Sequence, residues 1–120
     1  MKTKSDPRHI KRIRLMQELF SWNFSNVNTV SSKSKPIVDN LKKIDKLIAQ
    51  SAPDRPVEQI NRVDLAILRL AIFELIIKKG TPPKVVVDEA IELAKEFGAQ
   101  SSPGFINGVL GKLIESEKII

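Results

Sequence analysis

Apolar residues recur along most of this chain at spacings of three and four, the period of helices with one buried face. Asp6 and Pro7 open a first helix as cap and first-turn residue, with Ile10, Ile13, Met16 and Phe20 along one side. The other side carries Arg8, Lys11, Arg12 and Arg14 early but Leu15 and Leu19 later. This helix is therefore expected to be wet and basic at its start and buried on most sides by Phe20 and Trp22. Residues 23–35 are polar and rich in Ser and Asn, and read as a loop. Pro36 starts a second helix, with Ile37, Leu41, Ile44 and Ile48 on one face, and Ala52-Pro53-Asp54-Arg55-Pro56 breaks it.

A short turn, Val57 to Ile60, leads to Asn61, a cap with Asp64 in the first turn that follows. From Val63 to Ile77 apolar residues cover nearly the whole circumference, which marks a helix buried on all sides and predicts a central rod. Lys78-Lys79-Gly80 is its stop. Pro82-Pro83 begins a helix with Val86, Ala90, Leu93, Ala94 and Phe97 inside, ending at Gly98. Ser102-Pro103 caps the last, where Phe105, Ile106, Val109, Leu110, Leu113 and Ile114 repeat as adjacent pairs. Period-two alternation and hairpin dipeptides are missing. The pattern predicts an all-α, compact helical bundle of about five main helices, one domain over residues 1–120 with residues 1–6 flexible.

Composition changes this picture in one respect. Residues 1–14 carry six Lys or Arg against Asp6 alone, whereas the remaining residues carry fourteen basic and thirteen acidic groups. A nearly neutral body with a basic end suggests a localised contact with a polyanion; the rival reading is a solubilising terminus. No apolar run approaches the roughly 20 residues of a membrane span, there is no secretory h-region, and cysteine is absent. A cytoplasmic protein without membrane contact is expected.

Catalysis finds few placed groups. The single histidine, His9, sits in the basic first turn without an obvious acid partner, and no His/Cys set for a metal or Gly-rich phosphate loop occurs. Asp88, Glu89 and Glu92 form an acidic stripe read as a solvated face. Neither an enzyme nor a cofactor is expected.

The run Arg62-Val63-Asp64-Leu65-Ala66-Ile67-Leu68-Arg69-Leu70-Ala71 and the segment Asp88-Glu89-Ala90-Ile91-Glu92-Leu93-Ala94-Lys95 are followed by Phe97-Gly98 and Phe105-Ile106-Asn107-Gly108-Val109-Leu110. In that order they resemble the C-terminal half of the NusB family of transcription antitermination factors. Met16-Gln17-Glu18-Leu19-Phe20-Ser21-Trp22, after its basic start, is similar to the family's opening. The resemblance implies two packed helical subdomains. It also implies binding to single-stranded RNA of the boxA type in ribosomal RNA leaders, jointly with the ribosomal protein NusE, inside an RNA polymerase antitermination complex. A monomer or weak dimer is expected.

Carried onto this sequence, the resemblance assigns RNA contacts to Arg8, Lys11, Arg12 and Arg14, and a second region to Gln100, Ser101, Ser102 and Phe105. It assigns the protein partner's face to Phe20 and Glu74. Each has a plainer reading: Phe105 as core, and Glu74 as the partner of an internal cation such as Arg69. Pro103-Gly104 replaces a more polar pair before the Phe, and residues 23–55 lack about one helix of the family's pattern. Two alternatives stand beside the RNA-binding factor. One is a helical protein-interaction module without RNA binding; the other is the RNA-binding domain of a ribosomal RNA methyltransferase, which the end of the chain at Ile120 disfavours.

Overall fold

The computed structural model describes residues 6–25 and 31–119; residues 1–5 of the expected flexible start and part of the expected loop lie outside the described residues. Every regular element is helical: α1 (Pro7–Ser25), α2 (Lys35–Asp39), α3 (Leu41–Ser51), a 3₁₀ turn (Val57–Gln59), α4 (Arg62–Ile72), α5 (Pro83–Phe97) and α6 (Ser102–Ser116). No strand occurs among the described residues.

The central rod is α4, and it is buried continuously from Asp64 to Ile72. Asn61 starts it, its Oδ1 accepting hydrogen bonds from the backbone N–H of Val63 (2.9 Å) and Asp64 (3.3 Å). Around α4 pack α1, α3, α5 and α6, while α5 also lies along α6 and α3 reaches α6. Leu19, Ile37, Ile44, Ile48, Ile67 and Leu110 are fully enclosed where these faces meet. The two halves of the chain thus share one core through α4.

Three departures from the sequence pattern have physical causes or consequences. The expected second helix breaks at Asn40, whose Nδ2 donates to the Pro36 carbonyl at 2.7 Å while its own carbonyl accepts from Ile44 N at 3.0 Å. That side chain competes with the helical ladder, so one predicted helix becomes α2 and α3. The rod's last turn, Phe73–Lys78, widens to a π-turn that Lys79 closes by donating its N–H to the Glu74 carbonyl at 3.0 Å. Lys79 and then Gly80 both take positive φ, 58° and 95°. Finally, α1 runs three residues beyond Trp22, with Phe20 and Trp22 only half-buried.

Polar ties join α1 to the residues that lead into α2. Glu18 Oε1 accepts from Ser31 N (3.0 Å) and from the buried Ser34 Oγ (2.9 Å). Arg69 on α4 donates to both carboxylate oxygens of Asp45 on α3 (3.0 and 2.8 Å) and to Asn23 Oδ1 on α1 (3.1 Å). Arg69 is therefore a three-helix clamp, and Glu74 has a different partner.

Candidate functional site

The basic start of α1 is sorted by direction. The Asp6 side chain accepts from the Arg8 backbone N–H at 2.9 Å and its carbonyl accepts from Ile10 N at 3.0 Å, which begins the helix where the sequence pattern placed it. The Arg8 guanidinium holds the Asp6 carboxyl below its usual range, in a pair whose Arg side chain is 78% exposed and so weakly coupled. Lys11 and Arg14 also face solvent and have no acidic partner among the described residues.

His9 and Arg12 point the other way. His9 is buried between α1 and α5, its Nδ1 3.3 Å from Glu89 Oε1 and its Nε2 2.5 Å from Glu96 Oε1. Both neighbours are carboxylates that accept, so a ring donating from both nitrogens, the imidazolium, suits the site. Burial opposes that charge, but the bonds to Glu96 and Glu89 outweigh it and raise the imidazole pKa above its ordinary value. Arg12 donates to Glu74 through Nε (2.9 Å) and Nη2 (2.7 Å) and to Glu89 through Nη1 (3.3 Å), and these bonds hold its guanidinium in the charged form. Glu89, read from sequence as part of a solvated stripe, is buried; the stripe's other members, Asp88 and Glu92, are exposed. His9, which had no obvious acid partner in the sequence, has two. The acids stand 80 and 87 positions further along the chain, so sequence spacing could not reveal them.

The same cluster orients the second predicted contact region. Glu96 holds His9 from the last turn of α5, and the 98–102 turn leaves that end of the helix. Gly98 lies where α5 and α6 approach closely: a Cβ there would stand 2.6 Å from Ser102 Cβ and Oγ and 2.8 Å from the Ala94 carbonyl. Ser102 is the first residue of α6 rather than its cap, and it is buried. Its Oγ accepts from Ala99 N at 2.9 Å, so the hydroxyl closes the turn internally. Gln100 and Ser101 are exposed on the turn.

Phe105 is partly buried against the core on the side of α6 facing residues 51–55. The Arg55 guanidinium lies 4.2 Å from its ring centroid, a cation–π contact at the surface. Arg55 was legible only as part of a helix-breaking segment.

The two residues assigned to the protein partner do not form one patch. Glu74 is buried opposite Arg12, whereas Phe20 follows eight positions later in α1, about 12 Å further along the helix axis. Phe20 is half-buried and packs against the core. No group of three or more His, Cys, Asp or Glu able to hold a metal occurs among the described residues, and no described helix is long and apolar enough to cross a membrane.

The chain is similar to proteins of one family by three independent comparisons. The NusB family model matches residues 23–115. The transcription antitermination protein NusB of Shewanella amazonensis is 39% identical over 102 residues, covering 85% of this chain and 65% of that protein. The NusB of Chloroflexus aggregans is 51% identical over 73 residues, covering 59% of this chain and 49% of that protein. The matched segment thus spans about half to two thirds of these curated relatives. Among solved structures, T. maritima NusB superposes with a TM-score of 0.80 at 31% identity, covering 96% of this chain and 93% of that one. A structure of antitermination factors NusB and NusE in complex with dsRNA shares the fold, with a TM-score of 0.75 at 22% identity, covering 92% of this chain and 99% of that one. With most of the chain matched and the helical fold shared, the protein belongs to the NusB family.

Proposed function

We propose that the chain acts as a transcription antitermination factor that binds boxA-type single-stranded RNA of ribosomal RNA leaders together with NusE, within an RNA polymerase antitermination complex. The observation that carries this reading is the sorting of cations on the first turns of α1. Arg8, Lys11 and Arg14 face solvent while His9 and Arg12 are spent on holding the helix to α5 and the end of α4. Exposed cations on a fixed helix supply the sequence-independent phosphate attraction, and Gln100, Ser101 and Phe105 offer amide, hydroxyl and ring to unpaired bases. Arg12 and Ser102 serve the RNA surface by building it. Phe20 is proposed for the NusE face; Glu74 acts through Arg12, by holding α1 in place. The role is binding rather than catalysis, in the cytoplasm with the transcript.

The test is binding of a fluorescein-labelled boxA-type RNA, with and without NusE, at two salt concentrations. The wild type is compared with an Arg8→Ala/Lys11→Ala/Arg14→Ala variant. Arg12 stays intact, because its loss would leave Glu74 unpaired. Sequence-preferring binding that NusE tightens and the triple variant loses is expected. Equal, weak binding by both proteins would make the basic end a solubilising segment and favour a protein-interaction module.

A further inference from the structure

A groove of about 350 Å³ opens between α1, the start of α2 and the π-turn after α4. Its floor is apolar, made by Leu15, Leu70, Pro36 and the half-buried Phe73. Its rim carries Lys11, Lys33 and Lys78, each exposed and without an acidic partner among the described residues, and Arg8 stands at one end. The one carboxylate lining it, Glu74, is occupied by Arg12 through two hydrogen bonds. The groove therefore presents uncompensated positive charge around an apolar slot.

Building on the RNA-binding reading, we propose that this groove receives one unpaired base of the bound RNA, laid against Phe73 and Pro36, while Lys33 and Lys78 take the flanking phosphates. Charge complementarity favours this occupant: a rim of cations with no free acid attracts a polyanion. Size agrees, because a cavity of about 150 Å³ accommodates benzene and the groove is large enough for a bicyclic purine. Chemistry agrees as well, since single-stranded RNA is held where aromatic surface for a base lies beside cations for its backbone. Continuity completes the case. Lys11 and Arg8 belong both to this rim and to the exposed start of α1, so a strand on that helix reaches the groove without a gap. The π-turn gives Phe73 and Lys78 their places on the wall, and it ends at Lys79 in a left-handed conformation that L side chains rarely adopt.

The proposal is tested with Lys33→Ala/Lys78→Ala, which alters only exposed groups outside the Arg8, Lys11, Arg14 and 100–105 set, and with Phe73→Leu. Affinity for a fluorescein-labelled boxA-type RNA is measured over a salt series. The same RNA carrying 5-iodouridine is photo-cross-linked and the adduct mapped by peptide mass. The lysine variant should melt like the wild type, bind several-fold more weakly, and lower the slope of log K against log salt by about 0.7 per lost contact. The cross-link should fall on Phe73 and vanish in Phe73→Leu. Unchanged affinity and slope in the lysine variant, with binding lost in Arg8→Ala/Lys11→Ala/Arg14→Ala, would overturn the groove and leave the RNA surface standing. Loss of NusE binding without RNA, at unchanged RNA affinity, would make the groove a protein site and overturn the proposal. No RNA binding by the wild type would remove the groove and the parent reading together.

Discussion

Arg12 and Glu74 meet as a two-point pair, Nε to Oε2 at 2.9 Å and Nη2 to Oε1 at 2.7 Å, joining the second turn of α1 to the π-turn that ends α4. Their side chains are 11% and 7% exposed, so water screens neither charge strongly. Replacing Arg12 by Ala strands Glu74 and takes one donor from Glu89. Breaking a buried pair by removing one partner costs about 3 to 5 kcal/mol, and a loss near the lower end is expected, read as a lower denaturant midpoint at unchanged m-value. Arg12→Lys restores only part, because an ammonium lacks the two-point fork. An unshifted midpoint in Arg12→Ala would mean that the pair does not hold α1 in place.

The His9 site makes stability depend on pH in a defined direction. The imidazole pKa is raised above its ordinary value because bonds to Glu96 and Glu89 outweigh burial. Such a group adds stability fully below the unfolded-state pKa and loses it as pH rises through the higher folded-state value. Thermal melts of wild type and His9→Gln should therefore differ most below about pH 6.5, the ordinary histidine value, and the gap should narrow as pH rises above it. A gap that widens with rising pH would contradict an imidazolium between the two carboxylates.

Gly98 is needed for space. Its φ is −90°, which any residue adopts, but a Cβ would meet Ser102 and the Ala94 carbonyl. Gly98→Ala should thus cost about 1 to 3 kcal/mol, the usual range for overpacking. The damage should be concentrated in the 99–102 turn, where the Ala99 amide loses its bond to Ser102 Oγ. Hydrogen exchange at Ala99 reports this directly, and protection equal to the wild type's would show that the turn can move aside.

Helical periodicity made the fold legible wherever burial is one-sided or complete. The rod from Val63, its Asn61 cap and the Val86, Ala90, Leu93 and Ala94 face of α5 follow from apolar spacing, but Phe97, which the same spacing put inside, is exposed at the end of α5. What periodicity could not give was the use of polar side chains. Asn40 looks like an ordinary solvent residue within a helical pattern, yet its side chain breaks the ladder. Glu89 lies among exposed acids, and only the fold brings His9 and Arg12 to it. At the site, sequence pattern identified the basic turn as a unit, but which of its cations are free depends on which way the helix faces. Arg55 reaches Phe105 from another segment, a contact fifty positions apart that leaves no trace in local spacing.

That contact leads to a last expected outcome. The Arg55 guanidinium lies 4.2 Å from the Phe105 centroid, on exposed surface beside Lys112 and the open backbone of Gly104 and Gly108. An exposed cation–π pair contributes about 0.5 to 1 kcal/mol, so Arg55→Ala should melt within a few degrees of the wild type. Phe105→Ala should cost more, because it also removes half-buried ring area from the core. If RNA uses this face, Arg55→Ala should weaken binding and lower the salt slope by about 0.7, one phosphate contact. Arg55→Lys should keep the slope while losing the planar stack, since a lysine carries the charge but not the guanidinium plane. Tighter binding in Arg55→Ala would instead show that the guanidinium covers a ring the RNA stacks on directly.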